Sequence, residues 1–109
     1  HTPLYHTREI WWAKLGLNVG FEQDGASDNF KRPVLVLRGL SAHVCIILPL
    51  TTSDKRDRFY IDAGNISGKS AAAIISQIRL VDTRRLVEKI GTMDKPHFET
   101  IRKAARDLL

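Results

Sequence analysis

Residues 31–53, KRPVLVLRGLSAHVCIILPLTTS, hold two long apolar runs separated by a short polar break. Pro33 to Arg38 and His43 to Leu50 are each long enough for a strand. Their richness in Val, Ile and Leu is the composition of strands buried on both faces. Gly39 to Ala42 suits the loop of a hairpin between them. In such a hairpin the start of one strand lies beside the end of the other. Pro33 can open a strand but not sit centrally in one, which puts Arg32 at the strand mouth, next to Lys31. Leu50-Thr51-Thr52-Ser53 leaves the second strand with three hydroxyls in a row. Arg32 and Thr51 would then face each other across one rim. A guanidinium fork beside hydroxyls suits the grip of a phosphodiester. A plainer reading fits the same residues: Arg32 as a solvated charge at a strand end, the hydroxyls as turn caps.

Outward from this hairpin the pattern stays mainly β. Glu9 to Leu15 (EIWWAKL) reads as a strand ended by Gly16, with Trp11 and Trp12 on opposite faces, one in the core and the other at a dimer or RNA surface. His1 to Thr7 reads as an irregular lead-in, and Asn18 to Lys31 as a long polar loop. Arg58 to Asp62 is expected to form a fourth strand, Ala71 to Val81 a fifth, and Glu88 to Thr92 a last one after a turn at Arg84 to Leu86. The ending changes period. Asp94 is a good N-cap and Pro96 suits a first helical turn. Phe98, Ile101, Ala105 and Leu108 then recur at helical spacing, with Arg102, Lys103 and Arg106 turned outward. The expected architecture is one domain over residues 1–109, a small bent sheet or barrel closed by one C-terminal helix.

Charge and composition narrow the function. The 109 residues carry 17 Lys and Arg against 12 Asp and Glu, a net charge of +5, so polyanions are natural partners. No apolar run approaches the roughly 18 residues of a membrane helix, and no signal peptide is read at the start. The single cysteine, Cys45, allows no intrachain disulfide and points to a reducing, cytoplasmic setting. Cys45 lies within an apolar strand, where an inert buried thiol is expected. No Cys/His cluster has zinc spacing, and Asp24, Asp28, Asp62 and Asp82 are too scattered for a Mg²⁺ site, so no metal or other cofactor is expected. A phosphate-cradling Gly-rich loop and a hydrolase nucleophile elbow are both missing. His43, at a hairpin tip, and His97, at the start of the helix, are read as non-catalytic.

Ordered segments along almost the whole chain resemble the MazF/PemK family of toxins. They are Glu9-Ile10-Trp11-Trp12, Val19-Gly20-Phe21-Glu22-Gln23, Lys31-Arg32-Pro33-Val34-Leu35-Val36, Leu48-Pro49-Leu50-Thr51, Ser76-Gln77-Ile78-Arg79-Leu80-Val81-Asp82, Arg85-Leu86 and Lys89-Ile90-Gly91. The resemblance implies an SH3-like barrel of the CcdB/MazF type with a C-terminal helix, working as a homodimer and neutralised by a cognate antitoxin. It also implies metal-independent cleavage of single-stranded RNA, in which the ribose 2′-OH attacks the neighbouring phosphate and leaves a 2′,3′-cyclic phosphate and a 5′-OH. On this resemblance Arg32 and Thr51 are the catalytic pair. Glu22 and Gln23 line the RNA groove, with Lys31, Thr52 and Ser53 as further RNA contacts. An arginine with a pKa above about 12 is a poor general base, which leaves that role to Glu22 or to a proton relay through Thr51. The chain departs from some members at Phe21, where they carry His, and at Ile74 and Ser76, where they carry Arg and Asp. Two other functions suit the same fold: a CcdB-like gyrase poison and a catalytically silent nucleic-acid-binding module.

Overall fold

The computed structural model describes residues 4–15 and 31–109. Seven strands run β1 (Glu9–Lys14), β2 (Lys31–Gly39), β3 (Val44–Thr51), β4 (Tyr60–Ile66), β5 (Lys69–Ile74), β6 (Arg79–Asp82) and β7 (Leu86–Thr92), followed by helix α1 (Lys95–Leu108). Short 3₁₀ turns, Ile75–Gln77 and Thr83–Arg85, flank β6. The sheet order is β4-β5-β3-β2-β1-β7 with β6 pairing β3, all antiparallel, and it curls into a half-barrel.

The central hairpin forms with both faces covered, but β2 begins at Lys31, so Pro33 lies within the strand rather than opening it, and Arg32 is paired with Ala13. Leu35, Leu48 and Leu50 pack with Ile10 under the helix residues Phe98, Ile101 and Ala105. Val34, Val36, Cys45 and Ile47 turn the other way, against Trp11, Ala13, Val81 and Leu86. A strand between two apolar layers has no polar side, which explains the unbroken run. Cys45 is fully buried, and desolvation pushes its thiol up to about 11, as an inert core cysteine requires.

Two strand assignments are corrected. Ala71–Val81 is not one strand but two, β5 and β6, split by the turn at Ile75–Gln77. β5 sets Ala73 against Leu50, whereas β6 sets Arg79 against Ile47. Six steps along one chain thus answer three along β3, and the 3₁₀ turn absorbs the excess while both pieces stay on the bending strand. The fourth strand begins at Tyr60 and runs to Ile66, beyond the expected end at Asp62. Ser67 (φ 53) and Gly68 (φ 82) then make a tight turn with two left-handed residues, the geometry that matches strand twist in a two-residue hairpin.

The ends are tied down by specific contacts. The lead-in is anchored at Tyr5, whose hydroxyl donates to the Ser41 carbonyl at 2.6 Å. Its ring passes so close to Gly39 that a Cβ there would stand 2.6 Å from the hydroxyl. Helix α1 starts as read, with Asp94 accepting the His97 amide at 3.1 Å and Pro96 in the first turn. Leu108 is a correction: it is 42% exposed, because the helix's last turn projects past the layer it covers. Among the described residues no helix is long and apolar enough to cross a membrane.

Candidate active site

The register of the central strands builds the rim. Val34 pairs with Pro49, and carrying that register two residues on sets Arg32 opposite Thr51. Arg32 itself pairs with Ala13 on β1, and Thr51 with Ala72 on β5. Leu86, Ala13, Arg32, Thr51, Ala72 and Asp62 therefore form one transverse row across six strands. Cross-strand partners project to the same face. Arg32 and Thr51, both half-buried, stand in this row between Ala13 and Ala72, which are fully buried.

The hydroxyls of Thr51 and Ser53 cap turns, as the plainer reading held. Thr51 Oγ1 accepts the Ser53 amide at 3.1 Å, and Ser53 Oγ accepts the Lys55 amide at 3.1 Å. An accepting hydroxyl keeps its own proton to donate. Thr51 is thus oriented by the backbone with a donor left for a phosphoryl oxygen. Thr52 and Ser53 are exposed on the segment leaving β3, and Lys31 is exposed at the start of β2. Glu22 and Gln23, with the rest of their loop, lie outside the described residues.

Cations gather near this rim that the sequence reading did not single out. Lys55, Arg56 and Arg58 follow Thr51 on the β3–β4 connection, all exposed, with the Arg58 guanidinium 4.5 Å from the centre of the Phe59 ring. The run K-R-x-R right after three hydroxyls was the available signal. Arg85 donates to the Lys14 carbonyl at 3.0 Å, fastening the second 3₁₀ turn to the end of β1.

Three carboxylates, Glu9, Asp94 and Asp62, tie elements of the frame together. Glu9 is 6% exposed and accepts from the Trp11 indole at 3.0 Å, the His6 amide at 2.9 Å and the Lys89 ammonium at 3.1 Å. Burial alone would raise its pKa, but these hydrogen bonds outweigh it and hold the carboxyl below its ordinary value. His97 bridges the helix start to β4: Nδ1 lies 2.8 Å from Asp94 and Nε2 3.2 Å from Asp62. Gly64 (φ 80) lets the bulge after Asp62 bring β4 under this ring.

An imidazole donates to two carboxylates only when protonated. The Asp94 hydrogen bond, followed by the Asp62 one, raises the His97 pKa above 6.5. Asp94 is lowered by the His97 amide and ring, and Asp62 chiefly by the Gly64 amide, then by His97 and Arg56. The histidine's contribution is complete below 6.5 and disappears as pH rises through its raised folded pKa. The carboxylates contribute fully above 3.8 and lose that as pH falls through their lowered values. Thermal melts of wild type and His97→Gln should therefore differ most between these limits and converge toward alkaline pH. A difference that stays constant from pH 5 to pH 9 would show that the bridge does not titrate.

The comparisons with known proteins bear on the family and the fold. The family model described as PemK-like, MazF-like toxin of type II toxin-antitoxin system matches residues 6–109. MazF (Form-I) from Deinococcus radiodurans superposes with a TM-score of 0.74 at 22% identity, covering 99% of this chain and 96% of that one. MazE-MazF (Form-II) from the same organism gives 0.72 at 18%, covering 99% and 95%. An endoribonuclease in complex with its cognate antitoxin from Mycobacterial species gives 0.68 at 12%, covering 97% and 98%. At such identities the likeness is one of fold. No curated protein sequence matches the chain. The family match, however, takes in every segment from β1 to α1, and on it the chain belongs to the PemK-like, MazF-like toxins of type II toxin-antitoxin systems.

Proposed function

We propose that the protein is an endoribonuclease toxin that cuts single-stranded RNA without a metal ion and is neutralised by a cognate antitoxin. The observation that carries this reading is the register of β2 and β3 which, carried two residues past Val34 and Pro49, sets Arg32 opposite Thr51 on one face at the rim. In the reaction the ribose 2′-oxygen bonds to phosphorus as its proton leaves, and the P–O5′ bond breaks. The products are a 2′,3′-cyclic phosphate and a 5′-oxygen that takes up a proton. Arg32 neutralises the charge that builds on the phosphoryl oxygens in the transition state. Thr51, held by the Ser53 amide, donates its hydroxyl proton to one of those oxygens.

The family of the chain and two fold neighbours, MazE-MazF and an endoribonuclease in complex with its cognate antitoxin, support a protein partner of that kind. An antitoxin segment rich in acidic residues would cover the basic rim and exclude RNA. The deciding experiment is incubation of purified protein with a single-stranded RNA in excess EDTA, followed by mapping of both new ends. Cyclic phosphate and 5′-OH ends support the reading. Intact RNA together with inhibited gyrase would replace it with the CcdB-like one.

The active species is proposed to be a homodimer, which doubles the field of a chain carrying +5. Light scattering should give twice the chain mass at the concentrations that cut RNA. RNA affinity should fall with salt, each phosphate contact adding about −0.7 to the slope of log K against log salt. Full-rate cleavage by a monomer, or salt-independent binding, would contradict this.

A further inference from the structure

The two adjacent tryptophans of β1 have different fates. Trp11 is sunk in the core, with its indole N–H held by Glu9. Trp12 points to the other face, is only half-buried, and belongs to neither core cluster. Among the described residues its indole N–H has no acceptor. Pro33 lies directly across from it on β2, and the next pair out on the same face is Lys14 opposite Lys31, both exposed. Two like charges directly opposite across antiparallel strands repel. Among the described residues neither lysine is ion-paired. Among the described residues the strand end thus presents a half-buried aromatic ring, with Glu88 of β7 across from it on its other side, beside two ammonium groups that have no carboxylate partner.

Each of these features is satisfied by the same ligand. Single-stranded nucleic acid binds on aromatic rings that stack bases, beside cations that follow the phosphates. A second copy of this face would instead bring one lysine pair against another. An acidic peptide would match the lysines but leave the ring without a stacking partner. We propose that Trp12, Lys14 and Lys31 form a second contact for the RNA strand, stacking one base and holding the phosphates beside it. This inference rests on the endoribonuclease reading and adds a subsite to it. Lys31 and Arg32 are consecutive and project to opposite faces, so the RNA passes over the end of the β1–β2 ribbon between the cleavage rim and the platform. Substrates long enough to make that turn are bound better than short ones cut at the same linkage.

The test uses wild type, Trp12→Ala and the double variant Lys14→Ala/Lys31→Ala with a long RNA and a trimmed one containing the same cleaved linkage. Trp12→Ala should raise KM for the long RNA by about 5- to 150-fold, the range of one stacked base, with a much smaller fall in kcat. It should also remove the advantage of the long RNA over the trimmed one. The lysine variant, whose changes are at exposed positions, should raise KM too and flatten the salt slope by about 0.7 per lysine. Wild-type KM and length preference in both variants overturn the platform and leave the nuclease reading standing. A KM effect that vanishes once protein concentration restores the wild-type assembly assigns this face to contacts between copies and also overturns it. If wild type cuts no RNA, the nuclease reading fails first. Binding of an all-deoxy single strand then decides the platform alone, upheld by a loss in Trp12→Ala and overturned by equal affinity.

Discussion

An RNA in which the ribose before the scissile phosphate carries hydrogen in place of its 2′-hydroxyl is expected to emerge uncut, while its all-ribose counterpart is cleaved. The 2′-oxygen is the nucleophile of the proposed reaction, so removing it deletes the attacking atom rather than weakening a contact. This is the largest effect expected of any single change. Binding should change little, because phosphates and bases remain for Arg32, Thr51 and the exposed cations to hold. The measurement is a cleavage gel run beside an equilibrium binding curve on the same deoxy-substituted strand. Equal cutting of the deoxy-substituted linkage would mean that water is the nucleophile, and the mechanism proposed for the rim would be wrong.

Arg32→Ala should lower the cleavage rate by about 10²–10³, roughly 2.7–4 kcal/mol of lost transition-state stabilisation. The fold should survive. Arg32 lies beyond the last β2–β3 pair, Val34 with Pro49, is only partly buried, and sits beside Ala13 rather than within either large apolar cluster. Arg32→Lys should recover part of the rate, since an ammonium keeps the charge but loses the planar fork that meets two phosphoryl oxygens at once. Single-turnover rates at saturating RNA, with a melting curve for each variant, separate loss of chemistry from loss of fold. Near-wild-type cleavage by a well-folded Arg32→Ala protein would falsify the assignment.

Local pattern was enough for several elements. The hairpin of β2 and β3 is written in two Val/Ile/Leu runs about a short polar break, and both strands form where that pattern puts them. Helix α1 is written in Asp94, Pro96 and the spacing of Phe98, Ile101 and Ala105. Each of these signals lies within a few residues, at the range where backbone propensity, capping and side-chain period act. The placement of Arg32 and Thr51 on one rim followed too, because hairpin register is set by the hydrophobic alternation of the two strands.

The chain's order alone decides that there is a Trp pair on β1, an unbroken apolar stretch from Ala71 to Ile75, and a histidine at the helix start. Only the tertiary structure decides what they become. Period-two alternation sends Trp11 and Trp12 to opposite faces, but which one is buried depends on the layer that closes over Trp11 and on Glu9 reaching its indole. The break between β5 and β6 carries no Gly or Pro to mark it: its only polar residues are Ser76 and Gln77, between an apolar β5 and a mixed β6. It appears only when a bent β3 demands three residues fewer than its partner supplies. Leu108 keeps the helical period yet is left exposed, since period fixes a face and not how far the covering layer extends. His97 meets Asp62 across 35 positions of sequence, a contact made by packing α1 onto β4 and by the bulge at Gly64. Local rules write the elements; which residues end in the core, at the rim or on an open face is settled by long-range register and coverage, which no short window of sequence contains.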